Sequence, residues 1–168
     1  MDENTEILNN FLMDVFNEIL KTEERCITEN HFTNLSVKEL HVIEAVCHAE
    51  DKDGDNCASA LAKNLNITGG TLTTAVGALE HKGYLIRQRD SKDKRIVHIS
   101  ATESGRAANE AHKKFHHQMI EDILFVLDEE ELPVFVKALG SIATFFKAKY
   151  GRKNISARSL IEELKHKD

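Results

Sequence analysis

The stretch TGGTLTTAVGALEHKGYL, residues 68–85, decides the fold of this 168-residue chain. Thr68 is predicted to cap a helix, because its hydroxyl can accept a hydrogen bond from the first free amides of the helix. Apolar residues at helical spacing then predict a buried stripe, which comprises Leu72, Val76 and Leu79. Gly83 is predicted to end the helix, since glycine readily takes the left-handed conformation of a C-terminal cap.

The face of this predicted helix opposite the stripe is short and polar. It is formed by Thr71, Thr74, Ala75, Ala78 and Lys82. A bulky charged face would serve solubility alone, whereas short side chains and hydroxyls permit close approach to another surface. The composition of this face therefore predicts a contact surface with a cation at its end.

The segments on either side of this helix complete a motif. A shorter helix is predicted within residues 57–67, and two strands are predicted at 85–89 and 96–100. A polar turn from Asp90 to Arg95 joins the strands. A helix, a tight turn, a second helix and a cationic hairpin together predict a winged helix-turn-helix. In that motif the second helix enters the major groove of DNA.

The sequence LEHKGYLIRQRDSKDKRIVHISATESGR, residues 79–106, resembles the MarR family of bacterial transcriptional regulators. Asp93-Lys94-Arg95 matches the Asp-x-Arg of the family's wing, and Thr102 with Gly105 matches the Thr-x-x-Gly that opens its next helix. The resemblance covers about residues 5–150 in order. It implies a repressor that binds double-stranded DNA at an inverted-repeat operator as a homodimer.

Two groups of residues are the expected DNA contacts. The group on the second helix comprises Thr68, Gly70, Thr71, Thr73, Thr74 and Ala75, of which Thr71, Thr74 and Ala75 are expected at base edges. The group on the wing, expected at phosphates or in the minor groove, comprises Arg87, Arg89, Lys92, Asp93, Lys94 and Arg95. Asp93 belongs to it because its carboxylate is expected to order the wing by pairing with Arg89 or Arg95.

Composition indicates a folded, soluble chain and argues against several other classes. The net charge is −6, yet seven Lys or Arg stand against three Asp or Glu between Lys82 and Arg106. We therefore expect a cationic surface on an acidic body, since phosphate contacts are short-ranged in salt. No apolar run approaches the roughly 20 residues of a membrane span, and three scattered cysteines indicate a reducing cytoplasm. An enzyme is disfavoured because a glycine-rich phosphate loop and a nucleophile elbow are missing.

Apolar helices are predicted on both sides of this motif. The first has apolar residues at three- and four-residue spacing from Ile7 to Leu20, and it is expected to end or become irregular at residues 23–26. The expected fold class is mostly α (α+β), a winged helix-turn-helix with a two-stranded wing and long N- and C-terminal dimerisation helices. Its expected parts are a dimerisation helix and connector (1–34), the DNA-binding domain (35–101), further dimerisation helices (102–150) and an extra C-terminal helix or tail (151–168).

The chain has nine histidines, and some of them form a candidate metal site. His112 and His116 lie four residues apart on the helix predicted after the wing, so they share a face and suit one Zn²⁺. His41 and a carboxylate from Glu23 or Glu24 are expected to complete the site. Zinc-responsive MarR proteins have a similar Glu, His and His-x-x-x-His pattern, which implies zinc as one candidate effector.

The same residues also resemble a second branch of the family. That branch represses fatty-acid-biosynthesis genes in Gram-positive bacteria, with acyl-loaded acyl carrier protein as corepressor. The matching segments are Glu39-x-His41, Thr71-Leu72-Thr73-Thr74, Lys82-Gly83-Tyr84 and His112-Lys113-x-Phe115-His116. We favour this branch, in which the histidines form a hydrogen-bonded network, and keep a metal or small-molecule effector as the alternative. A third hypothesis is a redox sensor, in which Arg25 favours the thiolate of Cys26.

Overall fold

The computed structural model describes residues 2–52 and 54–150. Within them the chain forms six helices and one two-stranded antiparallel sheet, which confirms the mostly helical winged class. The elements are α1 (Glu3–Glu29), α2 (Val37–Asp51), α3 (Ala58–Asn64), α4 (Gly69–His81), β1 (Leu85–Arg89), β2 (Val97–Ala101), α5 (Glu103–Val126) and α6 (Glu131–Tyr150). The extra C-terminal helix predicted at 151–168 lies outside the described residues.

Helix α1 continues past the point at which the sequence predicts its end. The prediction that residues 23–26 end the helix or become irregular is wrong, because Cys26 and Ile27 are buried and hold its last turns in place. The amide of Asn30 donates to the Cys26 carbonyl at 3.1 Å and closes the helix. The chain then reverses at His31, whose φ is 64°.

Helices α2, α3 and α4 share one apolar core with the base of the hairpin. Ser36 and Glu39 open α2 with a capping box, in which each side chain bonds the backbone amide of the other. The stripe predicted on α4 is confirmed, since its three side chains are at most 1% exposed and pack with Ile43, Val46, Leu61, Leu85 and Ile99. Burial of each such side chain contributes about 1.5–3 kcal/mol, so this core fixes the position of α4.

Strands β1 and β2 form the predicted wing. They pair antiparallel with Leu85 opposite Ala101 and Arg89 opposite Val97, so β2 begins one residue later than expected. Because the two strands are joined by only seven residues, 90–96, the cations of the turn project together from the end of the hairpin.

Two glycines fix the entry to the wing and the exit from it. Gly83 has a φ of +81°, which confirms the left-handed end predicted for α4. Gly105 lies where the first turn of α5 crosses the backbone, and a Cβ there would meet the Tyr84 carbonyl oxygen at 2.3 Å. The Thr102 hydroxyl caps α5 by accepting from the Gly105 amide at 3.1 Å. It also donates to the Gly83 carbonyl at 2.7 Å, which connects the start of α5 to the segment just before β1.

The chain divides into two compact units within α5, between Gln118 and Met119. The first unit contains α1 to β2 and most of α5. It therefore includes the entire winged helix-turn-helix and the four residues of the histidine cluster described below. The second unit contains the end of α5 together with α6. In the described part of the chain, no helix combines the length and apolarity that a membrane crossing needs.

Candidate nucleic-acid interface and histidine cluster

Helix α4 presents an exposed, hydroxyl-rich N-terminal half. The Thr68 hydroxyl caps the helix by accepting from the Thr71 amide at 3.1 Å, and the two threonine hydroxyls lie 2.8 Å apart. The Thr74 hydroxyl donates to the Gly70 carbonyl at 3.1 Å, and its oxygen can still accept a hydrogen bond. Thr71, Thr73 and Thr74 are all exposed, so this surface suits hydrogen bonding to base edges.

Two residues that the sequence places on this outer face have other roles. Ala75 is partly buried and packs against the core, so little of its side chain remains for a base contact. Lys82 turns inward, where its ammonium donates to the Asn34 carbonyl at 2.5 Å and to both oxygens of Glu39 at 2.8 Å. The predicted cation at the end of the contact face is therefore a tether between α4 and α2.

The backbone at the start of α4 is unobstructed. A Cβ on Gly69 would have no neighbour within 4 Å, and one on Gly70 would meet only the Thr68 hydroxyl at 3.9 Å. Glycine costs a helix roughly 0.5–1 kcal/mol relative to alanine, and the described packing gives no internal reason for it here. An outside partner that approaches the backbone closely supplies such a reason.

Arg87 on β1 is held by α4. Its guanidinium donates to the Thr73 carbonyl at 2.7 Å and pairs with Glu80 at 3.0 Å. The Arg87 amide also donates to Glu80 at 3.0 Å. The sequence predicts a phosphate or minor-groove contact for this residue. In the structure its guanidinium instead connects the wing to α4, the helix that is expected to enter the major groove.

The turn of the wing is ordered by two aspartates. Asp90 accepts from the amides of Lys92 and Asp93 at 2.7 and 2.8 Å, and Asp93 accepts from the amide of Arg95 at 2.9 Å. Asp93 therefore orders the wing through the backbone, and not through the ion pair with Arg89 or Arg95 that the sequence predicts. The other four cationic side chains of the wing are exposed as well, namely Arg89, Lys92, Lys94 and Arg95.

A second constellation lies at the junction of α1, α2 and α5. One carboxylate oxygen, Glu23 Oε1, lies 3.5 Å from His41 Nε2, 3.6 Å from His112 Nε2 and 3.5 Å from His116 Nε2. The Nε2 atoms of His112 and His116 are 2.9 Å apart. The predicted convergence of these side chains on Glu23 is thus present, and it draws on helices α1, α2 and α5.

The structure selects one of the two glutamates that the sequence offers. Glu23 is 4% exposed and faces the three imidazoles, whereas Glu24 is exposed and lies outside the cluster. The two differ because neighbouring residues of a helix point about 100° apart. Glu24 is therefore removed from the set of candidate ligands.

His112 is the most constrained member of the cluster. It is 1% exposed, and its Nδ1 has no hydrogen-bond partner in the described structure. The carboxylate of Glu44 lies 3.7 Å from this nitrogen. Burial, and then the neighbouring His116, hold the pKa of His112 below its ordinary value. Glu44 was not among the residues predicted from sequence, although it follows His41 by three positions and so shares its helix face.

The cluster has donors of the kinds that Zn²⁺ binds, and one ligand atom each from Glu23, His41 and His112 lies within 4.8 Å of the other two. Zinc bonds of about 2.0–2.1 Å imply donors roughly 3.3 Å apart. The Glu23 oxygen lies 3.5 to 3.6 Å from each of the three imidazole nitrogens, and the His112 and His116 nitrogens lie 2.9 Å apart, so these four separations are close to that value. Three imidazole nitrogens and one carboxylate oxygen also form a donor set that zinc accepts, and the ion would offset the charge of a buried glutamate.

Cys26 lacks the environment of a reactive thiol. Burial, and then the Glu29 carboxylate, raise its pKa, so the neutral thiol is favoured. The expectation that Arg25 favours the thiolate is therefore wrong. It was based on Arg25 being next to Cys26 in sequence, whereas burial and the nearby carboxylates determine the direction of the pKa shift.

The fold, the exposed reading helix and the cationic wing define a winged-helix transcriptional regulator. A family of transcriptional regulators described as SarA/Rot matches residues 28–112, about half of the chain. The chain therefore belongs to the MarR/SarA-type transcriptional regulators, as the resemblance in its sequence predicts, and it is not an enzyme.

Individual relatives agree with this assignment. The repressor YetL of Bacillus subtilis is 28% identical over 116 residues, which cover 69% of this chain and 70% of YetL. The crystal structure of Streptococcus pneumoniae FabT in complex with DNA has a TM-score of 0.77 and 36% identity, and the match covers 85% of this chain and 97% of FabT. The Staphylococcus aureus MepR–DNA complex shares the fold, with a TM-score of 0.67 and 22% identity over 80% of this chain and 95% of MepR.

Proposed function

We propose that this protein is a homodimeric repressor that binds an inverted-repeat operator. We further propose that it controls fatty-acid-biosynthesis genes, with acyl-loaded acyl carrier protein as corepressor. The similarity to FabT, a fatty-acid-biosynthesis repressor, carries the metabolic part of this proposal, since it extends over nearly the whole of that chain. The dimer and the DNA contacts rest on the exposed surfaces of the chain itself.

The case for a dimer rests on apolar side chains that one copy leaves in water. Phe16 on α1 is 62% exposed, Phe125 near the end of α5 is 92% exposed and Val134 on α6 is 70% exposed. Phe16 lies in the first unit, and Phe125 and Val134 lie in the second, so each unit by itself leaves large apolar side chains in water. Exposed apolar surface of this kind marks protein–protein contacts. A second copy of the chain would cover these helices and set two α4 helices about 34 Å apart, one turn of DNA.

The corepressor proposal is tested with an operator selected from a random DNA pool. Long-chain acylated acyl carrier protein should tighten operator binding at least about tenfold, or about 1.4 kcal/mol, in fluorescence anisotropy. The same carrier protein without its acyl chain is the control. Equal operator affinity with both forms of the carrier protein would refute the corepressor, while the DNA-binding role would be unaffected.

Zinc response is a second candidate function, and the observation that favours it is the convergence of the His41, His112 and His116 imidazoles on the Glu23 carboxylate. When bound, zinc would fix α1, α2 and α5 relative to one another at a point next to the DNA-binding core. Glu44 would hold the Nδ1 side of His112 and so direct its Nε2 toward the ion.

The zinc proposal is tested by competition with a chromophoric chelator. Glu23→Gln should weaken zinc binding at least about 100-fold, more than the 10–100-fold that loss of an outer-shell partner causes. Glu24→Gln, one residue along the same helix, is the matched control and should bind like the parent. If the two variants bound zinc equally, the cluster would be a hydrogen-bonded network with no metal.

A further inference from the structure

The wing is attached to the rest of the domain by the loop between α2 and α3. The Ile99 amide donates to the Asn56 carbonyl, and the Asn56 side-chain amide donates to the Ile99 carbonyl, both at 3.1 Å. Cys57 forms a β-bridge with His98 at the same point. These bonds dock the base of β2, and they also fix the orientation of the Asn56 side chain.

His98 spans the distance between this loop and the turn of the wing. Its Nδ1 lies 2.8 Å from Asn56 Oδ1, and its Nε2 lies 3.4 Å from Asp90 Oδ2. The other oxygen of Asp90 accepts the amides of Lys92 and Asp93. The imidazole is thus the middle member of a continuous chain that runs from the domain body to the backbone of the cationic turn.

Both ring nitrogens of His98 face oxygen atoms that only accept hydrogen bonds. The Asn56 amide nitrogen is committed to the Ile99 carbonyl, so its oxygen must face the ring. An ionised aspartate has no proton to give. A neutral imidazole has one N–H and can satisfy one of these two acceptors, whereas an imidazolium has two and can satisfy both.

We propose that His98 is a positioning residue for DNA binding, and that its imidazolium form locks the wing onto the domain body. The proposal rests on the wing's role in DNA binding and is independent of the corepressor and of zinc. The ionisable groups near the ring are Asp90 on the wing side and Asp55 on the loop side, while Cys57 meets His98 through the backbone. Both carboxylates attract a positive ring.

Loss of the ring's second proton breaks one link of this chain. The wing then keeps its β-pairing with β1 but loses the side-chain connection that sets its turn. Because Lys92, Lys94 and Arg95 meet phosphates only if the turn is correctly placed, the structure assigns a pH dependence to this part of the DNA contact.

The test uses the full chain and a random-sequence duplex, since wing–phosphate contacts do not depend on base sequence. Dissociation constants and their salt dependence are measured at about pH 6 and about pH 8, a range in which histidine side chains change charge. The parent should bind about threefold more tightly at the lower pH, with a salt slope larger by about one unit, the contribution of one phosphate contact. His98→Gln should lose this difference.

Two further variants test whether the pH effect comes from the contacts of His98 with Asn56 and Asp90 or from the charge of any histidine. His48→Gln removes an exposed histidine from α2 and should leave the pH effect of the parent intact. Asp90→Asn keeps His98 but replaces its anionic partner, and it should flatten the pH profile as His98→Gln does. Amide exchange at Lys92 and Asp93 should slow at the lower pH in the parent, after correction for intrinsic exchange, and not in His98→Gln. If His98→Gln kept the parent's pH-dependent affinity and exchange, the proposal would be overturned.

Discussion

At the scale of single residues, the wing contains two kinds of arginine. The Arg87 guanidinium is occupied by Glu80 and by the Thr73 carbonyl. Arg95 is exposed in the turn, and its backbone amide is the part that Asp93 holds. The same residue type therefore serves the internal structure in one case and is available to a phosphate in the other.

Substitution of each arginine should separate these roles. Arg95→Ala should weaken binding to operator and random DNA alike and lower the salt slope by about one unit, with little change in thermal stability. Arg87→Ala should lower thermal stability as well, because Glu80 loses its partner. Anisotropy over a salt series and thermal unfolding measure the two effects. The division of roles fails if both variants lose only DNA affinity.

Gly70 offers a second test at this scale. Because its Cβ position is open, Gly70→Ala should stabilise the isolated protein by up to about 1 kcal/mol. The added methyl group should nevertheless weaken operator binding if DNA approaches the backbone at the start of α4. Thermal unfolding and anisotropy on the same sample give both quantities. Unchanged DNA affinity in the stabilised variant would place the DNA backbone elsewhere.

At the scale of elements, the first turn of α2 connects the reading helix to the histidine cluster. Glu39 in this turn holds Lys82 at the end of α4, and His41 lies two residues further on and faces Glu23 of α1. Residues two apart on a helix point about 200° apart, so the turn contacts α4 on one side and the cluster on the other. A movement of α2 at the histidine cluster would therefore also displace α4.

The Glu39 carboxylate should make stability depend on pH. Burial acts to raise the pKa of Glu39, but hydrogen bonds from Lys82 and Ser36 outweigh burial and hold it below its ordinary value. The unfolded chain then binds more protons than the folded one, so this stabilisation is present above the ordinary glutamate pKa and is lost as pH falls through the lowered value. Urea unfolding from about pH 7 to about pH 3 follows the loss.

The matched variant for this prediction is Glu39→Gln, which keeps the size of the side chain. It should lower the free energy of unfolding by about 1–2 kcal/mol at neutral pH, through a weaker capping box and the lost ion pair. It should also reduce the loss of stability that the parent shows as pH falls, which is called the acidic limb below. An acidic limb identical to that of the parent would show that other carboxylates cause the loss of stability.

Sequence patterns predicted the helices and strands well but the long-range side-chain contacts between them poorly, for one physical reason. The stripe of α4 and the turn at Gly83 depend on neighbours within a few residues, so spacing alone reveals them. The partner of Lys82 is 43 residues away in sequence, and its ammonium looks like a surface cation until the tertiary fold is known. For the same reason, the sequence could not distinguish Glu23 from Glu24 as the cluster carboxylate, and it did not reveal that Cys26 is buried.

At the scale of the whole molecule, the cationic cluster and most of the exposed apolar side chains belong to different elements. The wing has a cluster of cations in a chain whose net charge is −6, while most of the large exposed apolar side chains lie on α1, the end of α5 and α6. A repulsive acidic body limits nonspecific attachment to DNA, so in the proposed dimer productive binding should depend on presenting two wings and two α4 helices at once. Dimerisation and DNA affinity should therefore fall together.

A single charge on α1 should show this dependence. Phe16→Glu places a carboxylate in the proposed interface, and twofold symmetry places it there in both subunits. Without a partner, the buried charge should cost at least about 2 kcal/mol, which is about thirtyfold in the dimer dissociation constant. Sedimentation velocity over a concentration series measures the dimer, and anisotropy on an inverted-repeat duplex measures the DNA complex.

Asn17→Glu is the matched control, since it adds the same charge at an exposed position about 100° around the helix. It should dimerise and bind like the parent, while Phe16→Glu should lose operator affinity at protein concentrations where it is monomeric. Because one subunit keeps its own reading helix and wing, binding to a single half-site should persist at high concentration. A Phe16→Glu protein that remained dimeric would move the interface away from α1, and a monomer with full operator affinity would remove the need for a dimer.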